Sequence, residues 1–163
     1  MNNKTKQLVT MAVFIALSMI GAVIKINGSI ALDALPAFLG SIILGPVAGG
    51  IIGCIGHLMS AGFAGFYLSL PMHLLIAVEM LVIVAIFGKV YRDGNKVVAI
   101  VLGIVLNGPV ATFLASQLAS ILGAEFAGMA MFYAFIVPLT IAAAVNVILA
   151  SIVYEGIKKA RKE

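Results

Sequence analysis

The lysine and arginine residues leave two long stretches of this chain without a cation. None lies between Ile26 and Gly88, and none between Val97 and Ile157. Leu, Ile, Val, Ala, Phe, Met and Gly fill those stretches almost completely. Nine of the ten cations fall into three groups: Lys4 and Lys6; Lys89, Arg92 and Lys96; Lys158, Lys159, Arg161 and Lys162. Lys25 stands apart. Such a map belongs to a chain that crosses a bilayer several times and keeps its cationic groups on one side. With only 10% charged residues in 163 and a mean hydropathy of +1.22, the chain lacks the polar surface of a soluble domain.

A spanning helix takes about 20 residues, so the length accommodates five to seven spans and no separate soluble domain. Breaks in the apolar runs divide residues 1–163 into one domain of six spans, at about 8–26, 32–44, 46–61, 71–91, 96–122 and 130–154. Pro46 suits the first position of a helix, and Arg92-Asp93-Gly94-Asn95 reads as a polar turn. The fold class is therefore an all-α integral membrane protein, a compact bundle of six transmembrane helices. Six spans put all three cationic groups on one side, whereas five or seven split the terminal clusters. The positive-inside rule then makes both termini cytoplasmic, in a multi-pass protein of the cell membrane. The N-terminal apolar run continues to Ile26 without a small-x-small cleavage site, so it is expected to be a span and not a cleaved signal.

The net charge of +4 reflects loop ends and not a nucleic-acid surface. One cysteine, Cys54, gives no disulfide framework. Two distant histidines and one acid do not make a metal site, and no metal is expected. There is no P-loop, nucleophile elbow, paired catalytic carboxylates or H-E-x-x-H, so an enzyme is not expected. Gly-Pro-Val-Ala occurs at Gly45 and again at Gly108; in so glycine-rich a chain, chance accounts for it better than an internal repeat.

The polar residues inside the spans need reasons. Glu79 lies about eight residues into the fourth span, ~12 Å along the helix. A charge near the midplane costs roughly 2.5–3.5 kcal/mol on insertion scales, so Glu79 is expected to face a polar cavity, to pair with a His or Lys, or to be protonated, and a ligand or ion role is the better reading than structural hydrogen bonding. His57 continues the small-residue stripe of Gly45, Gly49 and Gly53 and so faces inward. His73 lies near the outer start of the fourth span, six residues before Glu79, and both can line one pocket. Pro109 removes a backbone hydrogen bond in mid-span. Interrupted helices at membrane depth line cavities or lie buried, so Asn107 and, further outward, Gln117 are expected to face a pocket. For Asn146 a structural interhelical hydrogen bond is the better reading. Asp33 and Glu125 fall near outer span ends. Phe63, Phe66, Tyr67 and Tyr133 sit at the outer side, as interfacial anchors or as stacking partners for a planar ligand. Ala12 and Ala16, four apart, make a flat helix face that serves internal packing or the docking of another membrane protein.

Six short spans, Ala12-x-x-x-Ala16 in the first, and Leu44-Gly45-Pro46-Val47-Ala48-Gly49-Gly50-Ile51-Ile52-Gly53 opening the third resemble the substrate-binding S components of energy-coupling factor (ECF) vitamin transporters. Many S components carry an acid a few residues past that run, where His57 stands here. Ala31-Leu32-Asp33-Ala34-Leu35-Pro36, Gly56-His57-Leu58-Met59-Ser60-Ala61 and Met72-His73 through Glu79-Met80 look similar to the branch assigned to α-ribazole, a cobalamin precursor (the CblT-like proteins). The resemblance implies a substrate-capture subunit that binds a micronutrient on the extracellular side. A transmembrane T component and two ATPase subunits would supply the energy, with ATP used by those partners and no cofactor in this chain. It further implies that Ala12 and Ala16 dock the T component, and that Lys25, Asp33, His57, Tyr67, His73, Glu79, Asn107 and Gln117 are the pocket candidates. Other readings remain open: an S component for another vitamin or modified base, a proton-coupled secondary transporter with Glu79 as its proton site, or a membrane scaffold.

Overall fold

The structure, a computed structural model, describes residues 2–23, 25–26, 30–66 and 69–161, without the side chains of Lys25, Ile26 and Ile30. Helix α1 spans Asn3–Val23. A two-residue antiparallel hairpin follows, β1 (Lys25–Ile26) on β2 (Ile30–Ala31). Then come α2 (Leu35–Leu44), α3 (Pro46–Phe63), α4 (Leu70–Arg92) and α5 (Lys96–Val105). A π-helical turn, Leu106–Val110, joins α5 to α6 (Ala111–Ile121), and α7 (Gly128–Ala160) closes the bundle. With α5, the π turn and α6 taken as one unit, six helical segments are present among the described residues. Five of them are long and apolar enough to cross a membrane: α1, α3, α4, the α5–α6 unit and α7.

The sixth segment is α2. Its ten residues reach about 15 Å, half the hydrocarbon thickness. It is enclosed by protein instead of lipid, with Pro36 through Ile42 all buried. Two boundaries read from the sequence shift accordingly. Lys25 and Ile26 belong to β1, not to the first span, because the chain has already left the helix at Val23. Leu32–Ala34 is a bend leading into α2, and Pro36 sits in its first turn, where a missing N–H is harmless.

Lipid tails are as apolar as leucine, so helices in a membrane associate through close van der Waals packing at small residues. The small-residue stripe of α3 works in this way. A Cβ on Gly49 would run into Ser41 of α2, one on Gly50 would come within 2.5 Å of the Leu81 carbonyl of α4, and one on Gly56 within 2.9 Å of Ser18 of α1. Three helices thus approach α3 on three sides. A Cβ on Gly88 of α4 would come within 2.6 Å of the Cβ of the same Ser41. The larger side chains gather where α2, α3, α4 and α7 converge, around Phe38, Ile52, Val84, Phe87 and Val147. Phe38 and Phe87 meet edge to face at 5.0 Å, the favourable quadrupolar arrangement.

The two Gly-Pro-Val-Ala copies have different structures. The first breaks the chain between α2 and α3, with Gly45 at φ 110°. The second lies inside the continuous α5–α6 unit as part of the π turn. They do not mark related halves.

Candidate functional site

The π turn positions one wall of the site. Pro109 has no N–H for the Val105 carbonyl, and the helix widens there instead of breaking. A π turn inserts extra backbone into a helix and re-aims side chains, often at functional sites. Here Gly108 backs onto Thr140 of α7, with room for no Cβ: it would lie 2.9 Å from the Thr140 Cα. Thr112 donates its hydroxyl to the Gly108 carbonyl at 2.7 Å. Asn107, Ala111, Thr112 and Ala115 then line a cavity between this unit and the other helices.

That cavity holds about 280 Å³. Asp33 comes to it from the bend before α2, His57 from α3, His73 and Glu79 from α4, Asn107 from the π turn and Asn146 from α7. Two carboxyls, two imidazoles and two amides therefore converge from five parts of the chain, and no Lys or Arg among the described residues lines the space. The remaining wall is apolar, with Ile76, Met80 and Leu139 among its side chains.

The two histidines touch. His57 Nε2 and His73 Nδ1 are 3.1 Å apart, so one nitrogen donates and the other accepts. In either arrangement His73 Nε2 is left over, as a donor in one tautomer pair and an acceptor in the other. It is buried and has no hydrogen-bond partner among the described residues. Phe66 packs beside His73, with ring centres 5.7 Å apart. The link carrying Phe66 is held in an unusual conformation: Phe66 and Ser69 both have positive φ, 49° and 82°, which costs roughly 1–2 kcal/mol per non-glycine residue. The Phe66 N–H to the Ala61 carbonyl (2.8 Å) and the Ser69 N–H to the Phe66 carbonyl (2.7 Å) hold it there.

Glu79 is the least satisfied group. Its residue is 8% exposed, and neither carboxylate oxygen has a hydrogen-bond partner among the described residues. Leaving a buried charged acceptor unpaired costs more than the ~1–3 kcal/mol of a neutral one. Packing gains nothing from it, since an apolar side chain fills such a position more cheaply.

Asn146 has two functions where the sequence indicated one. It makes the interhelical bonds expected of it: its side-chain oxygen accepts from the Leu35 N–H at 2.7 Å, and its amide donates to the Ala31 carbonyl at 2.8 Å. A third bond, at 2.8 Å, goes to Ala142 in its own helix. These bonds bracket Asp33 and tie its bend to α7. Asn146 also lines the cavity, which the sequence reading did not assign. Its offset of 113 residues from Asp33 hides the pairing from any local pattern.

Among the other candidates, Gln117 is not part of the cavity wall. It lies two residues beyond Ala115, on the far side of α6, and bonds to the Ser116 hydroxyl at 3.3 Å. Tyr67 and the Lys25 side chain lie outside the described residues. Ala12 and Ala16 are exposed, on a face of α1 that also presents Leu8, Val9, Val13, Leu17 and Ile20 outward.

A profile of the family described as "ECF transporter, substrate-specific component" matches residues 6–157, and the chain belongs to that family. It is thus a multi-pass membrane protein whose class is substrate capture for transport, not an enzyme class. No curated protein and no solved structure matches the chain.

Proposed function

We propose that the chain captures α-ribazole from outside the cell in the Glu79 cavity and passes it inward with energy from a T component and two ATPases. The observation that carries the reading is the convergence of Asp33, His57, His73, Glu79, Asn107 and Asn146 on one cavity, with Glu79 and His73 Nε2 unpartnered among the described residues. The three stretches that resemble the α-ribazole branch supply Asp33, His57, and His73 with Glu79, so each contributes to the same wall.

The chemistry of the wall favours such a ligand. Carboxylates accept hydrogen bonds from ribose hydroxyls, the amides give and take, and Met80 and Ile76 offer apolar surface to a benzimidazole ring. Among the described residues the wall has two carboxyls and no cation, which disfavours a phosphorylated nucleoside. The volume lies near the lower limit for small-molecule sites, which suits a nucleoside and excludes an intact corrin ring. With both termini in the cytoplasm, the start of α4 and the Phe66 link face outward, so the ligand enters from the side on which an importer meets its nutrient. Ala12 and Ala16 serve as the flat face for the T component.

Mass spectrometry of small molecules that co-purify with the detergent-extracted protein tests the ligand, followed by calorimetry with α-ribazole and α-ribazole phosphate. The expected result is tight binding of the nucleoside and little of its phosphate. Recovery of a different vitamin with no α-ribazole binding would refute the substrate. Uphill, gradient-driven uptake by this chain alone in liposomes would refute the division of labour.

A further inference from the structure

A second cavity lies at the other end of the bundle. Arg92, on its wall, is 19 residues along α4 from His73, or ~28 Å. The cavity holds about 640 Å³ and is bounded by the ends of α2, α4 and α7 and the start of α5. Four cations line it: Arg92, Lys96, Lys158 and Arg161.

Two of these cations are held by contacts of their own. Arg92 donates from Nη1 to the Ile42 carbonyl at the end of α2, at 2.8 Å, which leaves its other N–H groups to turn elsewhere. Lys96 is fixed by Glu155 at 2.6 Å, and Tyr91 donates to the same carboxylate at 3.1 Å. Lys158 and Arg161 are three residues apart, on one face of the end of α7. Neither makes an ion pair among the described residues. Glu155 offsets one charge, so three remain unbalanced around one space.

The surroundings select the kind of anion. At 33 residues, α7 runs about 50 Å, well beyond the ~30 Å hydrocarbon core. Its last turns therefore stand at headgroup level. Beside Lys96, α5 exposes Val97, Val98 and Val101, and about a turn and a half before Lys158 α7 exposes Ile152 and Val153. A cationic hollow thus adjoins apolar helix surface that faces lipid. Basic pockets between membrane helices bind anionic headgroups in this way. We propose that this cavity binds the phosphodiester headgroup of an anionic membrane lipid, whose acyl chains lie along α5 and α7.

Native mass spectrometry and thermal unfolding of the intact protein in detergent test the site, with phosphatidylglycerol, phosphatidylcholine or inorganic phosphate added. Phosphatidylglycerol should give a bound species and a raised unfolding temperature, and phosphatidylcholine neither. The exposed pair Lys158→Gln/Arg161→Gln should lower phosphatidylglycerol affinity roughly fivefold per cation. The pair Lys4→Gln/Lys6→Gln removes the same charge from α1, off this wall, and should change nothing. Equal binding of the two lipids would overturn the proposal, as would an equal loss in both double variants. Protection by inorganic phosphate matching that of the lipid would reassign the site to a free anion and overturn it as well.

Discussion

Replacing Glu79 by Gln separates a binding role from a structural one, because the two roles push stability in opposite directions. Gln has nearly the same shape and no charge. Both Glu79 oxygens are buried without partners among the described residues, so none of the hydrogen bonds among those residues is lost on substitution. The variant should therefore melt no lower than the parent and up to about 4 °C higher, the shift that about 1 kcal/mol produces in a chain of this size. Affinity should move the other way. A hydrogen bond to a charged acceptor is worth ~1.5–3 kcal/mol, which is roughly a 10- to 150-fold loss in Kd. Calorimetry with α-ribazole gives the affinity, and thermal unfolding in the same detergent gives the stability. An affinity within twofold of the parent would remove Glu79 from the ligand site. A clear fall in melting temperature would show that the carboxylate holds the bundle together, and the cavity argument would fail with it.

Other outcomes follow from the packing. Asn146→Ala strips partners from the Leu35 N–H and the Ala31 carbonyl, a loss of about 1–3 kcal/mol for each orphaned group; hydrogen exchange should rise at residues 31–35, and α-ribazole affinity should drop more than tenfold. Gly49→Ala pushes a methyl into Ser41 and should cost about 1–3 kcal/mol, seen as a lower melting temperature with the ligand present or absent. Ala16→Trp alters an exposed face of α1, so ligand affinity and melting temperature should hold while co-purification with the T component is lost. His73→Ala leaves His57 Nε2 without its 3.1 Å partner and should weaken α-ribazole binding at least tenfold, with gel-filtration behaviour unchanged.

The helical segments were legible because membrane chemistry writes them in one dimension. Apolar runs must be helical where no water can satisfy the backbone, and Gly45-Pro46 and Asp93-Gly94 interrupt them in plain view. Glu79 was legible for the same reason, as a charge with no cheap place to go. The meeting of His57 with His73 was half visible: the glycine stripe set the inward face of α3, but nothing local fixed which part of α4 lay opposite. Gln117 misled because a polar residue on a helix says nothing about the helix's rotation, and the π turn at Pro109 resets the phase between Asn107 and everything after it. Asn146 was read for its packing role alone, since its partners stand more than 100 residues away. The length of α2 was visible, but its enclosure by protein depends on contacts with α3, α4 and α7 that only the assembled bundle supplies.

Ser41 sits between Gly49 and Gly88 with no slack on either side. A pin of this kind lets three helices turn together and forbids them to slide past one another. A displacement of α2, α3 or α4 along its own axis at this level would have to be shared by the other two.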